Sequence, residues 1–219
     1  MEDSIVLVDK PSNMTSFGVV ARVRRVLSQQ LGKKAKVGHT GTLDPFATGL
    51  MILVTGKECK NAGSYSKLDK VYEATIMLGQ TSTTGDPEGE KTEVSDAVPT
   101  LAEIEKSLEK FKGEITQRPP IYSAIKVNGE RAYKLARSGQ QVEIPERQVT
   151  VYSLDLINYI YPEVQIRAHV SSGTYIRTLA EDIGKDLGVG GYCSQLRRTQ
   201  ISEWNVDQAK SLSDLGITE

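Results

Sequence analysis

Between Gly38 and Gly49 the chain reads Gly38-His39-Thr40-Gly41-Thr42-Leu43-Asp44-Pro45-Phe46-Ala47-Thr48-Gly49, the span that most restricts what its backbone can do. Glycine reaches positive φ or lets another backbone come close, and proline fixes φ. A single carboxylate set among them is displayed on a turn with few conformations. The run Leu50-Met51-Ile52-Leu53-Val54 that follows reads as a buried strand, so the turn hangs from the core. An Asp before Pro also forms turns by bonding to its own backbone, and this stretch alone fits either role.

The rest of the chain alternates strand and helix patterns. Ser4-Ile5-Val6-Leu7-Val8, ended by Asp9-Lys10-Pro11, predicts a buried strand. The spacing of Val20, Val23, Leu27 and Leu31 predicts a helix over about 16–31, stopped at Gly32, with Arg22, Arg25 and Gln29 outward. Val71 to Leu78 alternates with Tyr72, Ala74, Ile76 and Leu78 on one face. Residues 80–99 read as a polar loop containing Gly85-Asp86-Pro87, a turn. Thr100-x-x-Glu103 then opens an amphipathic helix with Leu101, Ile104, Leu108 and Phe111. Strands are expected over 147–157, 164–170 and about 192–197. A helix capped by Thr174 buries Ile176, Leu179, Ala180, Ile183 and Leu187, and a short helix follows Trp204. The Arg118-Pro119-Pro120 run, the Asn128-Gly129 turn signal and a basic helix with Arg131, Lys134 and Arg137 form an inserted arm at about 115–146. The expected fold is mixed α/β, a central mixed or antiparallel sheet flanked by helices, in one domain over 1–219.

Composition narrows the classes. Residues 10–70 hold eleven Lys or Arg against three acids, whereas residues 86–110 hold eight acids against three Lys. That segregation suits one face to phosphates although the net charge is only −1. The N-terminus has neither a basic-then-apolar leader nor a membrane-length apolar run, so the chain is expected to be cytoplasmic, with no membrane partner. Two cysteines, Cys59 and Cys193, and two histidines supply no spaced ligand set, so no metal is expected.

Arg177 falls in the first turn of its helix, where the dipole disfavours a cation by about 0.3–1 kcal/mol, so an anion should compensate it. A phosphate or a carboxylate would serve, and Asp44 is the acid on a constrained loop. An ion pair between them would keep that carboxylate ionised. Tyr72 offers a face on which a base could stack, and equally reads as a core tyrosine. His39 belongs either to the same mouth or to the loop's own support.

These motifs, taken in order, resemble the TruB family of tRNA pseudouridine synthases. Gly38 to Gly49 resembles its catalytic motif, Asp9-Lys10-Pro11 through Thr15-Ser16 its N-terminal motif, and Lys70-Val71-Tyr72-Glu73 its tyrosine strand. Arg118-Pro119-Pro120-x-Tyr122-Ser123-Ala124 resembles its thumb segment. Ser172-Gly173-Thr174-Tyr175-Ile176-Arg177 and Leu196-Arg197-Arg198 resemble its last two motifs. Asn13 stands where the family usually has glycine, a mild change because Asn tolerates positive φ.

The resemblance implies isomerisation of the T-loop uridine at position 55 of tRNA to pseudouridine, without cofactor or metal. It implies that Asp44 is the essential aspartate, Tyr72 the residue stacked on the target base, Arg177 the partner of the aspartate, Leu196 an apolar contact and His39 an aid to the flipped nucleotides. The tRNA T-arm is the expected partner of a monomer with no obligate protein partner, and Lys10, Arg22, Arg25, Lys126 and Lys134 are expected on its backbone. Most bacterial members continue into a C-terminal PUA domain, which is not expected in a sequence ending at Glu219. The alternative is a non-catalytic tRNA-binding or tRNA-folding module of the same fold.

Overall fold

A computed structural model of the chain describes residues 3–121, 123, 126–127, 130–131 and 144–217. In chain order its elements are β1 (Ile5–Lys10), α1 (Ser16–Leu31), β2 (Val37–His39), β3 (Thr48–Thr55), a 3-10 segment (Gly56–Asn61), α2 (Ala62–Ser66), β4 (Lys70–Leu78), β5 (Gln80–Ser82) and β6 (Lys91–Glu93). There follow α3 (Leu101–Lys110), β7 (Gly113–Gln117), β8 (Lys126–Val127), β9 (Glu130–Arg131), β10 (Arg147–Ile160), β11 (Glu163–Val170), α4 (Ile176–Asp186), β12 (Gly191–Ile201), β13 (Trp204–Asn205) and two short 3-10 turns. Among the described residues no helix is long and apolar enough to cross a membrane.

The chain forms two compact units, one from Met1–Tyr72 with Arg197–Glu219 and one from Glu73–Leu196. In the first, β3 is the hub. β1 runs antiparallel along it from Ile5↔Val54 to Lys10↔Gly49, and β2 lies antiparallel beside its last residues from Val37↔Thr55 to His39↔Leu53. β12 pairs with it in parallel at Arg197↔Thr48 and Arg198↔Gly49. Paired along both edges, β3 is buried from Gly49 to Thr55, which accounts for its unbroken apolar run. Leu50, Ile52 and Ile201 form a core cluster against which Ile5, Leu7, Tyr65, Leu68 and Trp204 pack. α1 is capped by the Thr15 hydroxyl at Gly18 N and ended by Gly32 at φ 64°, and it buries Val19, Val20, Val23 and Leu27. The free edge of β1 is taken up by the C-terminal segment, through Asp9 N to Lys210 O at 2.9 Å and Lys210 N to Leu7 O at 3.0 Å.

In the second unit the strand order is β12-β4-β11-β10-β7. β10 is antiparallel to both β11 and β7. Register shifts at Val151/Ser153 and Leu156/Asn158 turn Tyr152 and Ile157 outward while Val151 and Leu154 stay buried. α3 carries the expected capping box, Thr100 with Glu103, and buries Ile104 and Leu108.

Several expectations change. Residues 80–99 are not loop throughout, because β5 and β6 pair there from Gln80↔Glu93 to Ser82↔Lys91 around the 83–90 turn. These strands are too short and polar to show a period. Strands β10 and β12 run longer than their patterns, since pairing rather than alternation sets their ends. α4 is capped from Tyr175 without a side-chain bond. Thr174 Oγ1 instead donates to Ser171 O at 2.9 Å, and the buried Gln117 side chain bonds Tyr175 at both N and O. Arg131, expected on a basic helix, lies in β9, paired with Lys126 of β8 across the Asn128-Gly129 signal. Lys134 and Arg137 lie outside the described residues.

Gly49 shows why its motif ends on glycine. It sits at φ 106°, and a Cβ there would lie 2.3 Å from Arg198 O and 2.7 Å from Arg198 N, at its own pairing partner. Gly49→Ala is expected to destabilise the protein by about 2–5 kcal/mol through the left-handed φ and the overpacking. A urea denaturation midpoint equal to that of the parent would contradict this.

Candidate active site

Asp44 lies between β2 and β3 at the first position of an Asp44-Pro45-Phe46-Ala47 turn, closed by Ala47 N to Asp44 O at 3.2 Å. Its neighbours on both sides are fastened. Leu43 bonds the Ser16 hydroxyl twice, accepting at its carbonyl (3.0 Å) and donating from its N–H (2.8 Å). Pro45 O accepts from the Lys10 ammonium at 3.1 Å. Arg198 donates from Nη2 to Gly41 O at 3.1 Å and from Nε to Leu50 O at 2.7 Å. The carboxylate is thus borne on a turn whose preceding residue, following residue and entering glycine are each bonded to a buried side chain, and Asp44 itself stays half-buried.

Lys10 and Arg198 are 0% and 1% exposed. Lys10 arrives inside because β1 alternates, with Val6, Val8 and Lys10 all turned inward. Its other two protons go to Pro11 O (2.8 Å) and Met14 O (2.7 Å), so no donor is left for a phosphate and its expected place on an RNA backbone is corrected. Burial pulls its pKa down to about 8, the Asp44 carboxylate opposes the fall, and the Arg198 guanidinium adds to it. Lys70 is a third buried cation, on Ser66 O (2.9 Å) and Leu68 O, also lowered to about 8 by burial with Arg198 contributing. A Cβ on Gly41 would meet Arg198 Nη1 at 3.5 Å and Lys70 Cε at 4.0 Å, so both cations flank the entrance to the turn.

Of the other residues singled out above, His39 is half-buried at the end of β2, and Tyr72 is buried on β4, on the same side of the strand as Lys70. Arg22 and Arg25 are exposed on α1. All belong to the first unit. Arg177 and Leu196, both buried, belong to the second. Lys126 lies in β8, and Lys134 lies outside the described residues.

In the second unit Arg177 Nη1 donates to Asp86 Oδ2 at 3.1 Å and to Thr84 O at 2.9 Å, with both charged side chains almost wholly buried. Asp86 is more than the turn former expected from Gly-Asp-Pro. Its Oδ1 accepts from Thr84 Oγ1 (2.5 Å) and Glu88 N (3.0 Å), which leaves Oδ2 for the arginine. One turn along α4 the Glu181 carboxyl lies against Gly85, where a Cβ would meet its Oε1 at 2.9 Å. Burial pushes the Glu181 pKa up to about 7, Arg177 opposes the shift, and Asp182 and Asp86 add to it.

Ser16, Lys70, Arg198 and Asp86 were not singled out from the sequence as holding the site. The unbroken apolar run from Ile5 to Val8 carries no sign of which face Lys10 takes, so its inward register was not readable either.

Two consequences are measurable. Below about pH 8 both folded and unfolded chains keep the Lys10 proton and the burial cost stands in full. Between about 8 and 10.5 only the unfolded chain keeps it, so stability rises with pH. The parent's urea midpoint should therefore gain more between pH 8 and 10 than that of Lys10→Met, and equal gains would refute the assignment. Asp86→Ala strands a buried guanidinium and should cost about 3–5 kcal/mol in the same assay, whereas a change under 1 kcal/mol would mean the pair is not closed in solution.

Residues 24–176 match the model of the TruB family pseudouridylate synthase N-terminal domain, and residues 177–217 match that of the tRNA pseudouridylate synthase B C-terminal domain. The chain is 44% identical to the tRNA pseudouridine synthase B of Thermobifida fusca and 42% identical to that of Aquifex aeolicus. The matches cover 98% and 99% of this chain and 75% of each relative. A chain in a crystal structure of a Cbf5-Nop10-Gar1 complex superposes with a TM-score of 0.74 at 28% identity, over 95% of this chain and 52% of that one. With a family model spanning most of its length and relatives above 40% identity along nearly all of it, this chain belongs to the TruB family of pseudouridylate synthases.

Proposed function

We propose that this protein isomerises a uridine of tRNA, the T-loop uridine at position 55, to pseudouridine. The observation that supports this reading best is the fastening of the Asp44 turn at Leu43, Pro45 and Gly41, which holds the backbone that carries one carboxylate in a chain of this family. The reaction is redox-neutral. The N1–C1′ bond breaks, the uracil turns while bound, C5 joins C1′, the C5 hydrogen leaves as a proton and N1 takes one up. Asp44 acts as nucleophile or base at the sugar or ring, and a carboxylate held in place needs no reorganisation as charge develops. The uridine must leave its stack, at a cost of a few kcal/mol, offset by stacking on Tyr72 worth about 1–3 kcal/mol.

His39 helps to accommodate the flipped nucleotides. Arg22 and Arg25 take phosphates of the T-arm, as do Lys126 and Lys134 of the arm at about 115–146. For Arg177 as partner of the aspartate and Leu196 as an apolar contact, the reading rests on the family resemblance. The active species is a monomer.

Tritium release from a tRNA transcript labelled at uridine C5 tests the reading, because forming the C5–C1′ bond displaces that hydrogen. Release is expected from the parent, with the modified nucleotide mapping to the T-loop. Asp44→Asn should abolish release while binding the transcript within about threefold of the parent, as a side chain needed for chemistry rather than affinity would. A parent that binds but never releases tritium would support the binding-module alternative, and an active Asp44→Asn would refute the role of Asp44.

A further inference from the structure

Phe17 is out of place on a helix that half-buries Val26 and Leu31 and fully buries its other large apolar residues. α1 turns Val19, Val20, Val23 and Leu27 inward, yet Phe17, in its first turn, is 65% exposed. The Arg24 guanidinium lies 5.9 Å from the centre of its ring and is steadied by donating Nη2 to Val37 O at 3.0 Å. Arg22 and Arg25 are exposed on the same helix. From residue 11 to residue 43 the chain carries Arg22, Arg24, Arg25, Lys33, Lys34 and Lys36, and no Asp or Glu. The residue before Phe17 is Ser16, whose hydroxyl holds both backbone groups of Leu43, next to Asp44. Exposed aliphatic residues such as Ile157 and Ile160 of β10 lack this setting.

We infer that Phe17 is a stacking platform for an unpaired nucleobase of the bound RNA, with Arg24 bracing the ring and Arg22 and Arg25 taking the adjoining phosphates. The inference rests on the proposed function and adds a contact beside the Asp44 turn for a nucleotide other than the one that reacts. An exposed aromatic ring on a helix whose exposed charges are cations is the chemistry that grips single-stranded nucleic acid. Every base presents a π-face, and the cations neutralise the backbone. Such a contact favours a looped-out strand over a duplex, whose bases have no free face.

Steady-state kinetics on a T-arm hairpin RNA test it. Phe17→Ala should raise KM about tenfold, leave kcat at saturating RNA and the thermal midpoint as in the parent, and leave the salt dependence of KM unaltered. Phe17→Tyr should behave as the parent. Arg22→Gln and Arg25→Gln should each lower the salt slope by about one. As a direct probe, F17W placed with Asp44→Asn and Trp204→Phe, which removes the chain's single native tryptophan, should be quenched by the hairpin and not by a fully paired duplex. A Phe17→Ala enzyme with KM within twofold of the parent overturns the inference, as does equal quenching by the duplex. A KM rise matched by loss of kcat and of thermal midpoint also overturns it, by pointing to a structural role. If the parent turns over and the Phe17 variants match it, this inference alone fails. If the parent binds the hairpin through Phe17 but releases no tritium, the proposed reaction fails and the platform stands.

Discussion

A lysine and an arginine bonded into backbone carbonyls inside the first unit hold its candidate site. Taking an ammonium out of water costs several kcal/mol, and hydrogen bonds from a charged donor return about 1.5–3 kcal/mol each. Lys10 makes three of them, to Pro11, Met14 and Pro45, which offset part of the cost, the remainder showing as a pKa pulled down to about 8. What it supplies is geometry. Three carbonyls from two separate loops converge on one nitrogen, and the turn bearing Asp44 cannot drift without breaking a charge-assisted bond. Arg198 does the same from β12, joining the entrance of the turn at Gly41 to the strand that leaves it at Leu50.

This arrangement also sets the electrostatics of the turn. The Arg198 guanidinium adds to the fall that burial imposes on the Lys10 ammonium, and the Asp44 carboxylate opposes it. Ser16 adds the neutral member of the set, satisfying both backbone groups of Leu43 with one hydroxyl. The second unit solves a related problem differently. Arg177 is held by a carboxylate rather than by carbonyls alone, and Asp86 is itself fixed by Thr84 and Glu88 before it meets the arginine. Glu181, pressed on Gly85 and raised to about 7, gives that buried group a second acid whose charge changes near neutral pH.

Much of the local architecture was legible along the chain. α1 runs from Ser16 to Leu31 because its apolar spacing, Thr15 cap and Gly32 stop agree, and Thr100 with Glu103 marks the start of α3 in the same way. Short polar strands such as β5 and β6 were not legible, since three residues carry no period and their pairing is settled by partners distant in sequence. The same reason hid the extra length of β10 and β12.

The amino-acid sequence by itself determined which turn displays a carboxylate, which helices and strands carry it, and, through motifs in order, the family. Glycine, proline and capping chemistry act over a few residues, and so can be read there. Tertiary structure alone decided how that turn is held. The Ser16–Leu43 bonds, the reach of Lys10 to Pro45 and of Arg198 to Gly41, and the grip of Asp86 on Arg177 join residues 27 to 157 positions apart. It also turned Lys10 from an expected phosphate contact into a buried brace. No local rule specifies such pairings, because each depends on which strands lie side by side and which way their alternating side chains face.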